Sequence, residues 1–214
     1  MLGFSQGFTA NYFCRFCRGH RQILQKQVTQ DENLLRTKEN YEDDLEQNDL
    51  SLTGIREPTV LNNLDKFHVI ENVIPDVMHD FLEGIIPLEM FLVLSRLVEK
   101  EMITLEELNS RISCFGYGFI EQKNRPSPIK HTSILNPTKA SGQTASQMMC
   151  SAPLLPLMIG DQIEDDCDEW ALYLLLIDIF KIVMSPSLSL SSTYVLKALI
   201  TDINYFYNYF QIAI

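Results

Sequence analysis

Two short clusters hold most of the side chains able to do chemistry. Cys14-Arg-Phe-Cys17 sets two thiols three residues apart, a spacing that lets both sulfurs turn to one side and hold one metal ion. A structural zinc site needs two more ligands, and the histidines are His20, His68, His79 and His131. His79 is the better candidate and His68 the next. His20 is so close in sequence that geometry can put it on the wrong face. The plain alternative is a pair of core or surface thiols.

The second cluster is Asp76-Val-Met-His79-Asp80-Phe-Leu-Glu83-Gly84. In a helix, Asp76, His79 and Glu83 share one face, so they could form a three-ligand hydrolytic metal site. The plain alternative is a capping aspartate beside an exposed His79–Glu83 pair at i, i+4. No second histidine completes an H-E-x-x-H pattern. P-loop, G-x-S-x-G and dinucleotide fingerprints are also absent from the sequence.

Positioning these clusters requires helices. An apolar periodicity at Ile23, Leu24, Val28, Leu34 and Leu35 predicts a helix over 15–36. The acidic stretch 37–53 reads as a loop or a polar helix, and Gly54 to Pro58 as a turn. Leu61, Leu64 and Phe67 predict a short helix or turn, and Phe67–Ile70 a short strand. Pro75 suits a first helical position, and Gly84 and Pro87 should kink or break the helix that follows. Further helices are expected over 88–98, 105–113 behind a capping box at Thr104–Glu107, 142–159, 168–184 and 192–212. Thr144 with Gln147 and its neighbours reads as a helix cap, or as a phosphate contact through backbone N–H groups. Tyr205–Phe210 reads as core packing rather than base stacking. The fold class is mainly α, with segments 1–36, 37–58 and 59–214.

The 214 residues are 46% hydrophobic with net charge −11, enough for a sizeable core and too acidic for a chain that is nucleic-acid-binding throughout. Arg15, Arg18 and Arg21 form a local basic patch that could recruit DNA or a protein partner, though a solvated face explains it as well. Five cysteines, only two of them close in sequence, speak for a reducing, intracellular compartment. The sequence shows neither a secretory leader nor a membrane span. It sets no oligomeric state.

Four blocks taken in order resemble proteins derived from CACTA-type DNA transposases. They are Gly7-Phe-Thr-Ala-Asn-Tyr-Phe-Cys-Arg-Phe-Cys17, Phe67-His68, Asp76 to Gly84, and Ala145-Ser-Gln-Met148 with Leu154 to Asp161. The resemblance spans most of residues 1–185, and the Asp-x-Met-His-Asp-x-x-Glu-Gly string is its most specific part. It implies a nuclear protein with an RNase-H-like α/β core, in which two aspartates and a glutamate hold two Mg or Mn ions for in-line attack on DNA phosphodiesters. It also implies zinc on Cys14, Cys17 and His79, with His68 a weaker fourth ligand, as in the distantly related V(D)J recombinase.

In such proteins both catalytic aspartates stand upstream of the Gly-Phe segment with which this sequence opens. The final glutamate has no clear counterpart, Asp202 being a guess. The expectation is therefore a fragment, the helical insertion region of the core with most of the sheet missing, catalytically inactive as it stands. The alternatives are a zinc-stabilised DNA- or protein-binding module, a metal-dependent hydrolase using Asp76, His79 and Glu83, and a non-functional remnant of a mobile element.

Overall fold

The computed structural model describes residues 2–5, 10–27, 29–136 and 142–210, with side chains as far as 206. Helix dominates, and among the described residues no strand forms, only the isolated bridges Phe4–Ile55 and Cys17–Leu35. Among the described residues no helix is long and apolar enough to cross a membrane. The chain divides into two compact units, Met1–Pro75 and Asp76–Ile214. The division falls after the acidic stretch, which folds into the first unit together with the cysteine pair.

In the first unit the helix expected over 15–36 is replaced by a fold-back. Arg18 N–H donates to the Leu34 carbonyl at 2.7 Å, and Arg36 N–H to the Phe16 carbonyl at 3.0 Å. Among the described residues of this stretch, only α1 (Arg21–Leu24) and a 3-10 turn at Glu32–Leu34 remain helical. Periodicity misled because Ile23, counted as an inward position, is exposed. The acidic stretch takes its helical alternative as α2 (Lys38–Gln47), started by a full capping box between Thr37 and Asn40. Its inner face buries Tyr41 and Asp44, three residues apart.

α3 (Leu50–Thr53) is capped by Asp49 and ends at Gly54, where φ is +72°. A Cβ on Gly54 would sit 2.2 Å from the Tyr12 carbonyl oxygen, so only glycine fits. The strand expected at Phe67–Ile70 is instead the start of α4 (Val69–Asn72), whose N-cap is His68. Local capping decides this: the His68 ring accepts from Ile70 N–H, and the Asn62 side chain accepts from Val69 N–H. Tyr41, Ile55 and Val69 form the small core.

The second unit opens with a nine-residue π-helix, Val77–Ile85, that runs directly into α5 (Ile86–Glu99). Pro75 is not its first residue; Asp76 is the N-cap. The break expected at Gly84 and Pro87 takes the form of a change of winding, and Pro87 lies in the first turn of α5 where its missing N–H is not needed. α6 (Leu105–Cys114) is capped by Thr104, but the Glu107 carboxylate turns forward to Arg111. Two short helices, α7 (Gly118–Glu121) and α8 (His131–Leu135), follow α6.

α9 (Ala145–Ile159), α10 (Asp168–Val183) and α11 (Leu190–Phe210) follow near the expected positions. Thr144 and Gln147 form a full capping box for α9. Pro156 has no N–H to give the Ala152 carbonyl one turn back. The buried Tyr173 hydroxyl of α10 supplies that donor at 2.8 Å, so a proline-containing helix persists inside the core. Leu94, Leu97, Leu108, Met148, Ile159 and Tyr173 are among the most deeply buried side chains there. Phe206 packs against this core while Tyr205 is exposed; the side chains of 207–210 lie outside the described residues.

Candidate functional site

The fold-back in the first unit creates the most distinctive local geometry, at Cys14–Cys17. Cys14 and Cys17 are free, half-buried thiols; the acidity of Cys14 is set by the Cys17 side chain and the backbone N–H groups of Phe16 and Cys17, and that of Cys17 by Cys14 and the Gly19 N–H. The Cys17 hydrogen bond is the main reason that the Cys14 thiol is lowered to about 6. The two backbone donors and the Arg36 charge add to this, against the opposing effect of burial. Cys17 is pushed up by the same shared hydrogen bond and by desolvation. Two free, half-buried thiols at this spacing are a donor set suited to a soft or borderline cation.

Arg36 holds this turn from beneath. Its guanidinium is fully buried, donating Nη1 to Asp44 Oδ2 at 2.9 Å, Nη2 to the Thr53 carbonyl at 2.7 Å and Nε to the Cys14 carbonyl at 3.4 Å. Burial lowers the Arg36 pKa while Asp44 raises it, and the group stays charged because an arginine so paired cannot lose its proton near neutrality. Sequence reasoning missed both Arg36 and Asp44. The available signal was a basic residue standing in the acidic run between Asp31 and Asp49.

The three basic-patch arginines have different environments. Arg18 is paired with Asp44 Oδ1 at 2.6 Å. Arg15 lies over the Phe16 ring, 4.8 Å from its centroid, and reaches the Ile74 carbonyl. Arg21 opens α1 and its backbone N–H donates to the Asn11 carbonyl at 2.7 Å. Among the histidines of this unit, His20 accepts from Gln22 N–H and meets Tyr12 edge-on. His68 caps α4, packs edge-on against Tyr41 and has its Nε2 3.8 Å from Glu42. The structure gives His68 a capping and packing role at α4; among the described residues no three His, Cys, Asp or Glu side chains gather to hold a metal ion.

The second cluster occupies the start of the π-helix. Asp76 Oδ1 accepts from the N–H groups of Met78 and His79, and Asp76 Oδ2 lies 2.7 Å from His79 Nδ1. Asp80 returns the arrangement by accepting from Asp76 N–H at 2.9 Å. The Asp76 hydrogen bond raises the His79 pKa, helped by the charges of Glu83 and Asp80, and the same bond lowers that of Asp76. The carboxylates of Asp76 and Asp80 are thus engaged in starting the helix, and all four residues are exposed. With Nδ1 tied to a carboxylate, a neutral His79 carries its lone pair on Nε2. Asp202, the other acid considered from sequence, is exposed on α11.

No protein-family model, curated protein or solved structure matches the chain.

Proposed function

We propose that this chain is a zinc-holding, non-catalytic module of a protein derived from a CACTA-type, RNase-H-like transposase, with Cys14 and Cys17 as thiolate ligands. The observation that carries the reading is that the Cys14–Cys17 turn, with both thiols free and half-buried, is pinned against Leu34–Arg36 by the Arg18–Leu34 and Arg36–Phe16 backbone hydrogen bonds. The Arg36 guanidinium, which donates to the Cys14 carbonyl, offsets negative charge at the turn, and two thiolates on one cation need that offset. Zinc bound there would supply a cross-link within the small first unit, whose core is built on Tyr41, Ile55 and Val69. The engagement of Asp76 and Asp80 in helix capping supports a structural role for the second cluster over a hydrolytic one. The ordered sequence blocks support the transposase origin, with DNA as the partner of the parent assembly and the nucleus as its compartment.

Elemental analysis of purified protein tests the metal, and the expected result is one zinc per chain, lost in Cys14→Ser and Cys17→Ser. Chelators should lower the melting temperature of the wild type. Protein free of transition metal and indifferent to chelators sinks the zinc reading. His79→Ala reports separately on the sequence expectation for that residue. Labelled DNA with magnesium or manganese should stay intact, whereas robust, site-dependent cutting refutes the non-catalytic part.

A further inference from the structure

We propose that Ser127 is a phosphorylation site for a proline-directed protein kinase, and that the phosphate it gains seats at the N-terminal end of α9 beside Lys130. Neither half of this depends on a metal at Cys14 and Cys17.

The sequence singles out this serine. Ser127-Pro128-Ile129-Lys130 puts a proline directly after the hydroxyl and a cation three residues on. Proline has no N–H, so it suits an enzyme pocket that offers no acceptor there, and the lysine supplies a charge for an acidic subsite. The other serine–proline pair is Ser185-Pro186, and Leu188 stands where its cation would be. Pro128 also holds Ser127 extended, the form in which a kinase cleft takes its substrate.

The fold presents the hydroxyl. Residues 125–130 form neither helix nor strand; Ser127 and Pro128 are exposed, while Pro126 and Ile129 on either side are buried. The Asn109 side chain fixes the flank by accepting from the Ile129 N–H at 2.7 Å and donating to the Ile129 carbonyl at 2.9 Å. Ser127 Oγ accepts from Gln147 Nε2 at 3.2 Å, a bond that uses an oxygen lone pair and leaves the hydroxyl proton to depart.

The surroundings suit an added anion. Gln147 is the third residue of α9, so Ser127 touches the first turn of a fifteen-residue helix, the positive end of its dipole. Lys130 Nζ stands 3.8 Å from where a Cβ on Gly142 would be, and Gly142 is two residues ahead of the Thr144 N-cap. A cation at a helix N-terminus is unfavourably placed. Among the described residues the ion-paired lysines are Lys38, Lys100 and Lys181, and Lys130 is not one of them. From Gln122 to Gly160 the sequence holds no aspartate or glutamate, although the chain has 28. A phosphoserine brings about −1.5 to −2 charges and three acceptor oxygens to this place.

The transfer is a single displacement. Ser127 Oγ attacks the γ-phosphorus of a nucleoside triphosphate. The bond from that phosphorus to the β–γ bridging oxygen breaks, the diphosphate leaves with the electron pair, and the hydroxyl proton passes to the kinase's base.

The full chain is incubated with a cyclin-dependent kinase and ATP, then digested with trypsin. The expected product is one phosphoryl group on the peptide Asn124–Lys130, in which Ser127 is the single hydroxyl. Ser127→Ala should abolish it, Lys130→Ala should slow it, and Ser185→Ala should leave it unchanged. In the phosphorylated chain, amide hydrogen exchange at Ala145–Gln147 should slow about 2–5-fold, the worth of a favourable charge at a helix N-terminus, and by less in Lys130→Ala. A kinase that modifies a synthetic peptide of residues 122–133 but not the folded chain overturns the site. So does a phosphoryl group found on Ser185 in place of Ser127. Exchange at Ala145–Gln147 that is unchanged or faster after phosphorylation overturns the seat on α9.

Discussion

Asp44→Ala should cost the first unit ~3 kcal/mol. Asp44 is 1% exposed and divides its two oxygens between Arg18 at 2.6 Å and Arg36 at 2.9 Å. Arg18 is 42% exposed in its side chain, so on losing Asp44 it turns to water at little cost. Arg36 has no such exit, because its side chain is 0% exposed. It keeps the Thr53 and Cys14 carbonyls but loses its only close carboxylate among the described residues. Breaking a buried pair from one side costs about 3–5 kcal/mol, and the two remaining carbonyls place this case at the low end. Against a domain stability of about 5–15 kcal/mol, and with so small a core, such a loss leaves the first unit largely open in mild urea. Hydrogen exchange of the α2 and α3 amides measures it directly. Trp170, the single tryptophan, lies in the second unit and serves as an internal reference by fluorescence. The paired replacement Arg36→Met with Asp44→Leu should return to within ~1 kcal/mol of wild type, since apolar substitutes remove the uncompensated charge. A single-variant cost below ~1 kcal/mol, or a double variant no better than the single, refutes the reasoning.

Two further outcomes follow from the second unit. Tyr173→Phe leaves the buried Ala152 carbonyl without its donor and should cost about 1–3 kcal/mol; adding Pro156→Ala restores a backbone N–H one turn on, so urea melts of the double variant should recover part of that loss. The His79 pKa is raised by Asp76, so the pair's contribution is full below the unfolded histidine value of about 6.5 and is lost as pH rises through the elevated folded value. Asp76, lowered by the same bond, withdraws its share only as pH falls through its depressed folded value. An NMR titration of the His79 ring should move to lower pH in Asp76→Asn, and an unchanged midpoint argues against the pairing.

The long elements were legible in the sequence, as was α6 behind its capping box, whereas the course of 15–36 was not. α5, α9, α10 and α11 each run for several turns with a broad apolar stripe, so periodicity found them within a few residues. Local side-chain hydrogen bonds were readable too, as at Thr144 with Gln147. The stretch 15–36 was misread because its course is set by contacts remote in sequence. Cys17 meets Leu35, and Arg36 reaches Asp44 and Thr53, and apolar spacing carries no trace of such pairings. Cys14 and Cys17 were recognised from their spacing, but which of the two is the more acidic depends first on how the two side chains face each other in the folded turn.

The stretch from Val77 to Ile85 is wound with more residues per turn than the helix it feeds. Such wide turns hold about one residue more than an α-helix of the same angular span. Excising a single residue there would therefore let the segment close as an ordinary helix with its phase nearly kept, and Phe81, stacked on Phe180 with ring centroids 6.1 Å apart, would stay on the same face. An added residue finds no such slack and would turn the start of the segment by about 100° around the axis.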